Sequence, residues 1–285
     1  MPINQNLSPA TLRAYTHDWN TFAMWCHRNN LKALPAEPTT VQRFLSEHSG
    51  SPATLSRILA AIASAHRVAQ QVSPTTHLFV KEALKNRSTG LQPRSRKPIL
   101  GRQLIAALAF LKEKPIDIRD RAMFLLGFAG ALNRSEIVAL NLDDITFTRD
   151  GAQIRLRKAN ASAQTILVAF GNKVKTCPVH ALGDWLALIT ETDGPIFRPI
   201  NKNGDIRSTR LTDVMVNKRL QRILAKSRLN PDEYSSHGLR IGFAETALQA
   251  NIPREDIAEH GRWQRLPVPN GTRSGRVHPG TKIGL

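Results

Sequence analysis

Between Asn86 and Pro98 the chain reads NRSTGLQPRSRKP, a stretch that carries Arg87, Arg94, Arg96 and Lys97, two prolines and almost no apolar side chain. Such a run has nothing to bury and reads as a linker. It divides the chain of 285 residues into residues 1–87, a basic linker at 88–98, and residues 99–285. Each flanking part is long enough to enclose a core of its own.

Within 8–87 the apolar residues recur at helical spacing. Ser8-Pro9 reads as N-cap and first helical residue, and Leu12, Tyr15, Trp19, Phe22, Ala23 and Trp25 continue as one apolar stripe. Pro35 and Pro38 interrupt it, and Thr39-Thr40 is expected to cap a second helix through Val41, Phe44 and Leu45. Ser51-Pro52 opens a third helix, and a fourth follows Ser73-Pro74. The expectation is a four-helix bundle.

From Ile99 the pattern predicts a helix around Leu104 to Leu111, a long apolar helix from Asp117, and a short one from Ser135 to Leu140. The period then changes to two. Residues 145–170, with a turn at Arg149-Asp150-Gly151, read as a small antiparallel sheet. Helices are expected again at Pro178 to Ile189, Leu211 to Ser227 and Gly238 to Ala250. The predicted fold class is therefore mainly α: a helical bundle followed by a mostly helical domain with one small antiparallel β-sheet.

Lys and Arg number 40 against 22 Asp and Glu, a formal charge of +18. An excess of that size, present in both halves, calls for a polyanionic partner, and duplex DNA is the expected one. The longest apolar runs fall short of a bilayer span, so no membrane partner is expected. The N-terminal residues lack a basic stretch followed by an apolar core, which makes the cytoplasm the expected location. Cys26 and Cys177 are the only cysteines. They lack partners at metal spacing, so no metal is expected and both read as buried apolar residues.

At Ser236-His237-Gly238-Leu239-Arg240 the chain resembles the His-x-x-Arg motif of the tyrosine recombinases, the phage-integrase family. Two further boxes stand in family order. Residues 131–140, ALNRSEIVAL, resemble the first arginine box, and His260-Gly261-Arg262-Trp263-Gln264 resembles the box with the His-or-Trp position. The N-terminal helical region, with SPATLSRILAAIASAHR, is similar to the family's core-binding domain, so 99–285 would be the catalytic-type domain. The resemblance implies a metal-free transesterification in which a tyrosine attacks a DNA phosphodiester. Two arginines and a His/Trp pair steady the charged phosphorane, and a lysine protonates the leaving oxygen. Arginine suits the clamp because its planar fork makes two parallel charged hydrogen bonds to phosphate oxygens. The bond energy stays in the covalent link, so no cofactor is expected. Further copies of the chain on the same DNA are expected partners.

Carried over residue by residue, the resemblance puts His237, Arg240 and Trp263 at retained positions, with Glu136 as a supporting carboxylate. Asn133 stands where the family has its first arginine, Asn160 where it has lysine, and Thr272 where it has the nucleophilic tyrosine. Arg134 and Lys158 are the candidate stand-ins, each of which also reads as a cation for the DNA backbone, as do Arg94, Arg96 and Lys97. Arg134 would lie about 100° around a helix from Asn133, and so replaces it only if the helix begins after Asn133. Threonine is a poor substitute for a phenol of pKa about 10. The chain's two tyrosines, Tyr15 and Tyr234, read as a core residue and as a loop residue close to His237. Three readings follow: a family member that occupies DNA with impaired strand transfer, an active recombinase using shifted groups, and a basic helical DNA-binding module of other ancestry.

Overall fold

The structure is a computed structural model that describes residues 2–7, 9–88, 97–158 and 161–268. The chain forms two compact units, Met1–Arg94 and Ser95–Leu285.

In unit 1 the helices are α1 (Pro9–Arg28), α2 (Pro38–Glu47), α3 (Pro52–Val68) and α4 (Leu78–Ser88), with a 3-10 turn at Pro74–Thr76 before α4. Their apolar stripes close on one core of Trp19, Phe22, Phe44, Leu55, Ile58, Ile62 and Val80. Phe22 and Phe44 meet edge to face at 5.2 Å between centroids. The cap expected at Ser51 is present, its side chain accepting from Thr54 N–H. The cap expected at Thr39-Thr40 is not there. Glu37 is the N-cap and Pro38 the first helical residue, because the fixed φ of proline suits that position, and Thr40 is buried inside the helix. Asp18, buried on α1, accepts two hydrogen bonds from Arg57 on α3, at 2.7 and 3.0 Å.

Unit 2 runs α5 (Gly101–Leu108), α6 (Pro115–Ala129), α7 (Arg134–Ala139), β1 (Ile145–Thr148), β2 (Gly151–Lys158), β3 (Ala161–Ala169), α8 (Pro178–Leu186), α9 (Asp213–Lys226), α10 (His237–Gln249) and α11 (Arg254–Gly261). The strands form one antiparallel sheet in the order β1-β2-β3. The unit is thus mainly helical with a small sheet, as the periodicity predicts. Helix α6 is its centre, with Ala122 to Phe128 buried on all sides. On this helix Asp120 is wholly buried and accepts from the neighbouring Arg119 and, at 2.6 Å, from Arg219 on α9. That ion pair fixes α9 against α6.

Helix α11 has no counterpart in the sequence reading. Its only buried apolar side chain is Ile257, among Arg254, Glu255, Asp256 and Glu259, so its 3.6-residue period has nothing to display. Lys97 and Pro98, which the composition assigns to the linker, are held by unit 2. The amide of Lys97 donates to Glu233 O and that of Ile99 to Gly238 O, while the Lys97 ammonium lies 2.7 Å from the Glu233 carboxylate. The docking depends on glycine: a Cβ at Gly242 would lie 1.8 Å from the Ile99 carbonyl oxygen. A small residue at one position of α10 therefore lets an extended backbone lie flat on the helix.

Candidate functional site

The α6–α7 turn builds one wall. After α6 the chain reverses through Ala131, at φ 46°, and reaches Asn133 in extended conformation as the N-cap of α7. The Asn133 side-chain oxygen accepts from Glu136 N–H at 2.9 Å and from the Ser135 hydroxyl at 2.7 Å. Glu136 returns the contact, its Oε2 accepting from Asn133 N–H at 2.8 Å. This reciprocal cap satisfies donors that a helix start leaves open. The helix thus begins at Arg134, and the angular separation of Asn133 and Arg134 within a helix does not apply. Arg134, half exposed, pairs with Asp213 at 3.2 Å.

The opposite wall is the start of α10. Ser236 N–H donates to the Asn217 side chain of α9 at 2.9 Å, and His237 stands exposed as the first helical residue. Between the walls lies an open cleft of about 350 Å³ lined by Asn133, Arg134, Ser135, Asn217, Ser235, Ser236 and His237. One cation and a histidine at the N-terminal end of α10 face it, a combination that favours an anion.

One turn further along α10, Arg240 points inward instead. It donates to the carbonyls of Ala131 and Gly261, and its guanidinium carbon sits 4.5 Å from the Trp263 ring centroid. Gly261 makes that stacking possible, because a Cβ there would lie 1.8 Å from the Trp263 ring. The Glu136 carboxylate is 3.7 Å from Arg240 and 3.2 Å from Arg262. Burial lowers the Arg240 pKa, Glu136 opposes the shift and Arg262 adds to it. An arginine starts so high that it stays charged. His260 stacks on Phe243 at 5.0 Å and its Nε2 donates to Ala129 O at 2.7 Å. Burial pushes its pKa down, against the pull of that carbonyl.

The structure therefore brings His237, Asn133 and Arg134 to one cleft and gathers Arg240, Trp263, Glu136 and Arg262 into a buried cluster behind it. The Asn133–Glu136 cap joins the two. Lys97 is not in the cleft lining. Lys158 is the last residue of β2, opposite Ala161, and its side chain lies outside the described residues, as do Arg94, Arg96, Asn160 and Thr272. Tyr234 is buried in the core of unit 2 and Tyr15 packs against the core of unit 1. Asn217 and Ser235 lie in none of the motif boxes, and Arg262, inside the box at 260–264, has no role that the resemblance implies; only the tertiary arrangement brings the three to the site. Among the described residues no group of three or more His, Cys, Asp or Glu is arranged to hold a metal ion.

Residues 99–268 match the phage integrase family. An integrase/recombinase xerD homolog of Selenomonas ruminantium is 33% identical over 272 residues, spanning 91% of this chain and 80% of its own length. This chain belongs to the phage integrase family. The tyrosine recombinase XerC of Haemophilus influenzae strain PittEE is 26% identical to this integrase-family chain over 274 residues, with 90% and 83% of the two chains covered. Among solved structures, a lambda integrase dimer bound to a COC' core site superposes with a TM-score of 0.62 at 14% identity, covering 96% of this chain and 94% of that one. The XerH site-specific recombinase bound to its palindromic difH substrate gives 0.59 at 18% identity, covering 87% and 70%. At these identities the two superpositions speak for the recombinase fold.

Proposed function

We propose that this chain is an integrase-family protein that occupies duplex DNA, with unit 1 as its core-binding domain and unit 2 as its catalytic-type domain, and that it forms no covalent link to the DNA. The observation that carries the reading is the use made of Asn133. At the position where the family pattern has an arginine, the side chain is spent on capping α7 and brings no charge to the cleft. The groups that remain suit a phosphate that is held and not cut: Arg134, His237 and the N-terminus of α10 line the cleft, and Arg240 lies behind it. The nucleophile supports the same reading. Thr272 stands in the family's tyrosine position, while Tyr234 is buried in the core of unit 2 and Tyr15 packs against the core of unit 1.

A charge of +18 and relatives solved on their DNA sites support duplex DNA as the partner, with further copies of the chain assembling on it. Among the described residues no helix is long and apolar enough to cross a membrane; the site of action we propose is the DNA of the cytoplasm. One observation favours a working recombinase as the second reading, namely that Arg134 lines the same cleft as His237.

A denaturing gel decides between them. A pool of labelled nicked duplexes, in which a cut strand traps any covalent intermediate, is incubated with the natural chain, with Thr272→Ala and with Tyr234→Phe. No shifted band is expected. A band from the natural chain that vanishes in either variant would establish strand transfer and name its nucleophile.

A further inference from the structure

Arg262 lies inside the box at 260–264 without a role that the resemblance implies, yet its side chain is 7% exposed. It closes α11 with φ 56° and ψ 40°, a left-handed conformation that favours glycine and is uncommon for a residue with a Cβ. From there the guanidinium runs back to the α6–α7 turn. Nη1 donates to Gly130 O at 3.2 Å and to His260 O at 3.0 Å, and Nη2 to Ala131 O at 3.1 Å and to Glu136 Oε2 at 3.2 Å. Its Nε is buried without a partner. Arg240 uses the same Ala131 carbonyl and faces the same Oε2, from 3.7 Å. Two guanidiniums thus share one acceptor and one carboxylate, and the cluster keeps a net positive charge beside the cap at Asn133.

The division of Glu136 between them is unequal. Its hydrogen bond goes to Arg262, and Arg240 is left at ion-pair distance. Without Arg262 the carboxylate has a single guanidinium to attract, and a close Arg240–Glu136 pair would cancel the charge that a phosphate needs to meet.

We propose that Arg262 is a positioning residue for Arg240: by occupying Glu136 it keeps the Arg240 charge available, and it supplies the cluster with the second guanidinium that the chain lacks at Asn133. The inference rests on the reading that a DNA phosphate meets this cluster.

The test measures binding of the full chain to a labelled random-sequence duplex by anisotropy across a range of NaCl concentrations. Arg240→Gln should weaken binding about tenfold and reduce the salt slope by about one. Arg262→Gln should do the same, and the double variant should lose no more than either single one, because the two act as a unit. Arg262→Gln with Glu136→Gln should recover most of the loss, since the competing carboxylate is gone. Arg262→Lys, which keeps the charge and loses the planar fork, should fall between and covers the case in which Arg262→Gln folds poorly. Losses that multiply in the double variant, parental binding by Arg262→Gln, or no recovery with Glu136→Gln would overturn the proposal. If the natural chain itself binds no DNA, the DNA reading fails, and the emission component that Trp263→Phe removes still decides the positioning. That component should shift in Arg262→Gln as Arg240 leaves the ring, and an unshifted one overturns the inference by itself.

Discussion

Replacing Glu136 by Gln removes one charge and keeps the rest of the cap, because an amide oxygen still accepts from Asn133 N–H. What is lost is the counter-charge to two guanidiniums whose side chains are 11% and 7% exposed. Breaking a fully buried ion pair by removing one partner costs about 3–5 kcal/mol. Glu136 is 24% exposed, and water reaching it discounts the figure to about 2 kcal/mol. Glu136→Ala also removes the reciprocal cap, for about 1 kcal/mol more. For a unit of this size each kcal/mol lowers the melting temperature by roughly 2–4 °C, so the Gln variant should melt about 4–8 °C below the parent. Trp185 and Trp263 report on unit 2 by fluorescence once Trp19 and Trp25 are replaced by Phe, and urea midpoints at constant slope give the free energies. Sulfate should stabilise the Gln variant more than the parent at equal ionic strength, because an anion can replace the missing carboxylate. A Gln variant within about 0.5 kcal/mol of the parent, the range of an ordinary surface change, would refute the view that Glu136 holds the cluster together.

Asp120→Asn should cost about 3–5 kcal/mol in the same assay, since Arg119 and Arg219 are left without their buried carboxylate; a loss below about 1 kcal/mol would count against the α6–α9 ion pair as a fixing contact. Gly242→Ala should release the segment around Ile99 from α10, where a Cβ has no room, and raise hydrogen exchange at the Ile99 amide; unchanged protection would refute it. His260 has a lowered pKa in the folded unit against 6.5 as its ordinary value, so the unfolded chain takes up the proton first. The stability that His260 contributes is present above pH 6.5 and is lost as pH falls through the folded value. His260→Gln should flatten the urea midpoint of unit 2 across that window. The Thr272→Tyr variant should still form no covalent DNA adduct, because Asn133 brings no charge, and an adduct on the nicked-duplex gel would overturn that expectation.

Much of the architecture was legible because its determinants are local. The 3.6-residue stripe of Leu12, Trp19 and Phe22, the cap at Ser51 and the two-residue period of 151–169 each act over a few neighbours, and the chain shows them without any fold. Three motif boxes spaced along the chain named the family by the same token. Helix α11 escaped because its burial depends on one isoleucine, and its charged residues carry no period. The docking of Lys97 and Ile99 on α10 depends on room above Gly238 and Gly242, which sequence neighbours do not reveal.

The motif boxes are legible without coordinates, because residue identity along the chain is enough to compare them, and on that resemblance alone Asn133, Asn160 and Thr272 are read as standing where the family has Arg, Lys and Tyr. What surrounds His237, Arg240 and Trp263 follows from the tertiary fold. It put His237 and Arg134 on one open cleft and turned Arg240, a single helical turn away, inward onto the carbonyls of Ala131 and Gly261. It also brought Arg262 to Glu136 across 126 positions of chain. Hydrogen bonds and ion pairs act over a few ångströms of space, and the distance along the chain between such partners carries no signal until the core has closed.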